Sequence, residues 1–191
     1  MFRMTSASVL SLALAFSTPV LGADAGSPPA PTGLRRDLLV SLDWVEQQTV
    51  SLEQAMPQAK FMWRPGKGVR SVSELYLHIA GGIYALTGKL GHEAPSDAQA
   101  LMKADEWESQ TTKKDEIKTI LTTAFAHLRN VILETQDADL ETQIKLAGRE
   151  VSGRLVLIGT QFHSAEHLGQ AIAYARINGI VPPWSKGDGK N

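Results

Sequence analysis

The 191-residue chain predicts an all-α protein, a four-helix bundle with long connecting loops. Three observations carry this expectation. Apolar residues recur at helical spacing in four separate stretches. No alternating pattern long enough for a useful strand is evident between them. The composition is that of a folded domain, with 43% hydrophobic and 20% charged residues, 9 Pro and 16 Gly.

Residues 1–25 read as a secretory signal peptide, with Arg3 as the positive region and residues 7–16 as a largely apolar stretch. Small residues allow cleavage after Gly22 or after Ala25. The alternative is an uncleaved anchor, but so short a stretch is too short for a hydrocarbon core of about 30 Å. Residues 26–33 are a short Pro-rich leader, 34–184 the helical bundle and 185–191 a flexible tail. The chain has no cysteine, so it carries no lipid-modified N-terminal Cys and needs no oxidative folding. The expected destination is a bacterial periplasm, without stable membrane insertion after cleavage.

The first helix is expected over roughly 34–56, where Leu38, Leu42, Val45, Thr49, Leu52 and Met56 share one face before Pro57. The second opens with a capping box, Ser71-Val72-Ser73-Glu74, and carries Leu75, Ile79, Gly82 and Leu86 to about residue 89. A short helix capped by Ser96 fits 96–104. The third long helix shows a second box, Thr112-Lys113-Lys114-Asp115, followed by Ile117, Leu121, Ala124, Leu128 and Ile132. The fourth starts near Ser152, stops at Gly179 before Pro182-Pro183, and carries the apolar stripe Leu155, Ile158, Phe162 and Ala173. The connectors 57–70, 90–111 and 136–151 are long for a tight bundle, and such segments lie over a bundle end and can shape a pocket.

Several chemistries are disfavoured. With a net charge of −1 and no basic tract, phosphate-driven nucleic-acid binding is not expected. The absence of cysteine removes disulfides, thiolate nucleophiles, iron–sulfur clusters and zinc fingers. Any metal must be held by His, Asp or Glu.

The five histidines therefore carry the chemistry: His78, His92, His127, His163 and His167. His163 and His167 lie at i, i+4, one turn apart on one helix face, within reach of one ion. The spacing alone is a weak signal, since such pairs arise by chance. Their surroundings strengthen it: Val156, Gly159, Gln170 and Tyr174 share that face. His78, on the second helix, supplies the third vertex. Gly81, Gly82 and Ala85 beside it either leave open volume around the imidazole or permit close helix packing. Three His from two facing helices resemble an open catalytic zinc-type site with a free position for water or substrate. Glu166 can act there as a general base, as a support for a ligand or as a plain surface acid, and Gln170 can orient a ligand. His92 is expected in an exposed loop and His127 at a half-buried boundary. Trp63, Trp184 and Tyr174 belong to a pocket rim or to end-packing.

These same residues resemble the DinB/YfiT-like superfamily of four-helix-bundle metalloproteins. The likeness lies in Trp63-Arg64-Pro65, in Val69-Arg70-Ser71-Val72-Ser73-Glu74-Leu75-Tyr76-Leu77-His78-Ile79-Ala80, and in His163-Ser164-Ala165-Glu166-His167-Leu168-Gly169-Gln170 with Tyr174-Ala175-Arg176. The tail Asn178-Gly179-Ile180-Val181-Pro182-Pro183-Trp184 is similar too, so the likeness spans roughly 34–184. It implies the family's mirror variant of an up-and-down bundle and a divalent metal, zinc or nickel, on His78, His163 and His167. It also implies a small-molecule substrate or thiol cosubstrate, chemistry of a thiol-dependent transferase or hydrolase type, and a homodimer. An export signal departs from a thiol-transferase role, because the low-molecular-weight thiols are scarce outside the cytoplasm. A non-catalytic metal-binding or protein-interaction bundle is the alternative, and it expects Glu166 or Gln170 to close the fourth coordination position. No exposed apolar stripe beyond the four core faces is expected, so the sequence locates no dimer surface.

Overall fold

The four long amphipathic stretches fold as helices, and a fifth short helix lies between them. The computed structural model describes residues 31–103 and 106–185, so the expected signal peptide over 1–25, residues 26–30 of the leader and the tail after Ser185 lie outside the described residues, and Gly33, expected to close the leader, opens α1. The helices are α1 (Gly33–Ala55), α2 (Val72–Gly88), α3 (Ser96–Met102), α4 (Lys114–Glu134) and α5 (Gly153–Ile177). Each of α1 and α2 packs against both α4 and α5. The order around the bundle is therefore α1, α4, α2, α5, and α1 lies diagonal to α2. None of the described helices is long and apolar enough to cross a membrane.

The core forms where the predicted stripes of α1, α2 and α4 meet an unpredicted face of α5. Leu38, Leu42 and Leu52 of α1 and its C-cap Met56 are buried, as are Leu75 and Ile79 of α2 and Ile117, Leu121, Ala124, Leu128 and Ile132 of α4. On α2 the half-buried Gly82 and Leu86 yield to Ile83, which was not part of the expected stripe and is fully buried. The box at the start of α2 is present. The Ser71 hydroxyl accepts from the Glu74 N–H at 3.3 Å, and the Glu74 carboxylate accepts from the Ser71 N–H at 2.7 Å. A cap of this kind is worth about 1 kcal/mol.

The structure corrects the sequence reading in four places. The box expected at Thr112–Asp115 does not form, because α4 starts one residue late for it, with Lys113 as an uncapped N-cap. Gln58, from the connector after α1, takes over: its Oε1 accepts from the Lys114 N–H at 2.9 Å and its amide donates to the Thr112 carbonyl at 2.7 Å. A side chain from a remote segment thus satisfies the free helix end that a local Asp was expected to serve.

The connector 136–151 is not free of strand. Strands β1 (Gln143–Leu146) and β2 (Arg149–Ser152) pair antiparallel, with Ile144 opposite Val151. Ala147 and Gly148 form the two-residue turn with φ of +47° and +80°. Both turn residues having positive φ matches the right-handed twist of a tight hairpin. β2 runs directly into α5, whose first turn is capped by the Ser152 hydroxyl.

The apolar stripe on α5 points outward. Leu155, Ile158, Phe162 and Ala173 are exposed, with Phe162 at 69%. The inward face is instead Leu157, Thr160, Gln161, Ser164, Leu168, Ala171 and Ala175. Its hydroxyls hide their polarity within the helix: Thr160 donates to the Val156 carbonyl at 2.8 Å and Ser164 to the Thr160 carbonyl at 3.0 Å. Gln161 is satisfied across the interface, donating to the Leu38 carbonyl at 2.6 Å. Val40 and Trp44 of α1 are exposed too, so both helices carry large apolar side chains on their outer faces, where none were expected.

The C-terminal boundary also shifts slightly. Pro183–Ser185 form a 3-10 turn against α1, so Ser185 belongs to the folded part rather than to the tail.

A three-histidine cluster between α2 and α5

α2 and α5 are neighbours in the bundle, and the histidines of both face the seam between them. His78 lies six residues into α2, and His163 and His167 lie one turn apart in the middle of α5. Their ligand atoms all lie within 4.8 Å of one another, and the three form a group able to hold a metal ion among the described residues. His78 Nε2 and His163 Nε2 are 3.2 Å apart. Two ligands at about 2.05 Å from one tetrahedral zinc are separated by about 3.3 Å, so this spacing fits a shared ion. The rings stand at steep angles to one another, with centroids 4.5 to 4.9 Å apart.

The two glycines beside His78 are filled rather than open. A methyl group on Gly82 would overlap the His163 ring, and one on Gly81 would overlap the Trp107 indole. Of the two sequence readings, close packing holds, and the groups packed there are two aromatic rings. The lack of a side chain at Gly82 is what lets His163 approach α2.

Each outer imidazole has a hydrogen-bond partner that orients it. His78 Nδ1 is 2.7 Å from Glu108 Oε1, so the ring donates from Nδ1 and keeps a lone pair on Nε2. His167 Nδ1 is 3.0 Å from Gln170 Oε1. The Gln170 amide then donates to the Tyr174 hydroxyl at 2.8 Å, and that hydroxyl donates to the Arg70 carbonyl at 3.0 Å. Gln170 thus orients a ring, as expected, and Trp63 packs edge-on against Tyr174. His163 Nδ1 is buried and has no partner.

The electrostatics favour the neutral form of His78 and His163. Burial, reinforced by the neighbouring His167 and His78, pushes His163 down to about 4. Burial also pushes His78 down, against the opposing pull of Glu108. Although burial works against it, the hydrogen bonds from Arg70 and His78 hold the Glu108 carboxyl below its usual range. Neutral imidazoles with free lone pairs are the form that ligates a cation. The donor set, the 3.2 Å spacing and the glycine cradle therefore fit a divalent metal.

The remaining candidates lie elsewhere. Glu166 is exposed on α5 and is not one of the clustered residues. His127 is half-buried against Thr87 and Tyr84, as expected. His92 is also half-buried rather than free in solvent, with Glu134 at 3.6 Å. The residues that the sequence reading missed are Trp107 and Glu108, in the 3-10 turn Trp107–Ser109 of the connector before α4. The only advance sign was the length of that connector. Trp107 also walls an apolar cavity of about 500 Å³ with Leu77, Gln110, Thr111 and Ile120, which none of the three histidines lines.

The family model of the DinB superfamily matches residues 41–171. The chain belongs to the DinB superfamily. Its fold is similar to that of a DinB-like protein from Bacillus cereus, at 18% identity and a TM-score of 0.63, covering 78% of this chain and 95% of that one. It is similar also to the DinB-like protein YjoA of Bacillus subtilis, at 19% identity and a TM-score of 0.60, covering 76% and 94%. YfiT from Bacillus subtilis, described as a probable metal-dependent hydrolase with an unusual four-helix bundle topology, matches at 14% identity and a TM-score of 0.57, covering 81% and 95%. At these identities the likeness is one of fold. No curated protein is significantly similar to the chain.

Proposed function

We propose that this DinB-superfamily protein is a metal-dependent enzyme, of hydrolase or thiol-dependent transferase type, with His78, His163 and His167 as the ligands of zinc or nickel. The observation that carries the reading is the convergence of three imidazoles from two helices, two of them with their Nδ1 positions already committed to Glu108 and Gln170. A divalent ion bound there supplies a Lewis acid with a position left for substrate. The protein's own residues supply the rest. Glu108 and Gln170 fix the two outer rings, and the His163 ring is wedged against Gly82. The description of YfiT as a probable metal-dependent hydrolase supports the hydrolytic form of this reading by analogy.

The non-catalytic alternative expects a protein side chain in the fourth position. Against it, Gln170 is bonded to His167 and Tyr174, and Glu166 is exposed. Glu166 is kept as the candidate base only in the sense that it lies one residue from His167.

Elemental analysis of the untagged protein is the test. One equivalent of a transition metal is expected, and less than about a tenth of an equivalent, with no uptake on titration, removes the reading. Loaded protein assayed with activated esters and with electrophile–thiol pairs then separates hydrolase from transferase. We also propose export. Intact-mass measurement of the protein recovered from a periplasmic extract is expected to show cleavage after Gly22 or Ala25, and an uncleaved chain retained with membranes would support the anchor instead.

A further inference from the structure

Gly81 and Gly82 are consecutive on α2, and each receives a ring from a different part of the chain. Gly82 takes the His163 imidazole, whereas Gly81 takes the Trp107 indole. Trp107 is followed directly by Glu108, and both lie in one 3-10 turn. Glu106, just before that turn, has φ of +56°, which swings the chain into it. The seat of the indole on α2 therefore fixes where the next side chain points. Glu108 points at His78 Nδ1, 2.7 Å away, and Arg70 grips both of its oxygens, at 2.6 and 3.2 Å. A two-point grip on a carboxylate sets its direction as well as its position.

We propose that the Gly81 notch, Trp107 and Arg70 form a positioning device that holds Glu108 against His78 and so sets how tightly the three-histidine site holds a divalent cation. This rests on the metal-binding reading above. None of these four residues is one of the three histidine ligands. They act through the ring of His78: the carboxylate fixes the tautomer, stops ring rotation and makes the imidazole a better donor. Losing such a partner typically weakens metal binding by 10- to 100-fold. A purely structural role for Trp107, as a wall of the apolar cavity, would alter thermal stability without acting through Glu108.

The test is a double-mutant cycle on the full chain, read as the zinc Kd by competition titration and as the visible absorption of the cobalt-loaded protein. Glu108→Ala is expected to raise Kd by about 10- to 100-fold, with Glu108→Gln recovering part of the loss because its amide oxygen still accepts from His78. Gly81→Ala, which displaces the indole, is expected to raise Kd severalfold and shift the cobalt bands. In the Glu108→Ala background the same change is expected to alter Kd by less than about twofold, because the two act in series. If Gly81→Ala fails to fold, Trp107→Phe replaces it under the same criterion. Metal binding by the wild type with an unchanged Kd in Glu108→Ala overturns the proposal alone. So does a Gly81→Ala penalty that persists in full without Glu108. No uptake by the wild type overturns this proposal and the metal reading together.

Discussion

Gly82 shows how little room the cluster leaves at the level of single atoms. Its missing side chain is the space the His163 ring occupies. Gly82→Ala is expected to abolish high-affinity metal uptake while helix content holds or rises, since Ala is favoured over Gly in a helix interior by about 1 kcal/mol. Circular dichroism with a zinc titration checks both halves, and an unchanged affinity would mean that the ring can be displaced without consequence. Among the described residues, Glu53 joins His163 in having an orphaned buried side-chain atom: its Oε1 lacks a partner while Gln54 donates to Oε2. Burial pushes its carboxyl up from 4.5. A group raised in this way gives its full stability below the unfolded value and loses it as pH rises through the folded one. Glu53→Gln, which cannot ionise, is therefore expected to raise Tm near neutral pH and to lose that gain below 4.5. An equal gain at both pH values would show that the charge is not the cause. The histidines were legible because their spacing and their small neighbours lie on regular helices. Glu108 was not, because it reaches His78 from a connector thirty residues away and nothing local marks it.

Among the elements, α5 taught the most, because its sequence misleads in a physically simple way. Thr160 and Ser164 look like surface residues, yet each turns its hydroxyl onto its own helix and goes inside. Leu155 and Phe162 look like core and face outward. Calorimetry separates the two assignments. Leu157→Ala, at a site with 0% exposure, is expected to cost about 2–5 kcal/mol. Phe162→Ser is expected to stay within about 0.5 kcal/mol in the monomer. A reversed ranking would restore the original face. The hairpin escaped notice for a different reason. Its strands are four residues each, and its turn uses Ala147-Gly148 rather than Asn-Gly, so neither length nor turn chemistry announces it. The start of α4 was misread because Gln58, remote in sequence, serves the helix end that Asp115 was expected to serve.

For the molecule as a whole, periodicity was enough to forecast four helices and a buried seam, and it said nothing of which helix lies beside which. That order depends on the connectors, whose lengths allow either neighbouring or diagonal placement. On the metal reading, His78 and His163 tie together segments 85 residues apart. Zinc at about 100 times its Kd is then expected to stabilise the fold by about 2.7 kcal/mol, seen as a rise in Tm that a chelator reverses. A Tm indifferent to both zinc and chelator would count against a resident ion. The ring order α1, α4, α2, α5 carries a last consequence, for kinetics. Small helical proteins fold fast when successive helices can zip into hairpins, since short loops close cheaply. In this arrangement neither α1 and α2 nor α4 and α5 can pair that way; only α2 and α4 are both successive long helices and neighbours, and α1 must wait for α4. Refolding should accordingly be slower than that of a simple up-and-down bundle of equal length, with its barrier set by the meeting of the first and last helices.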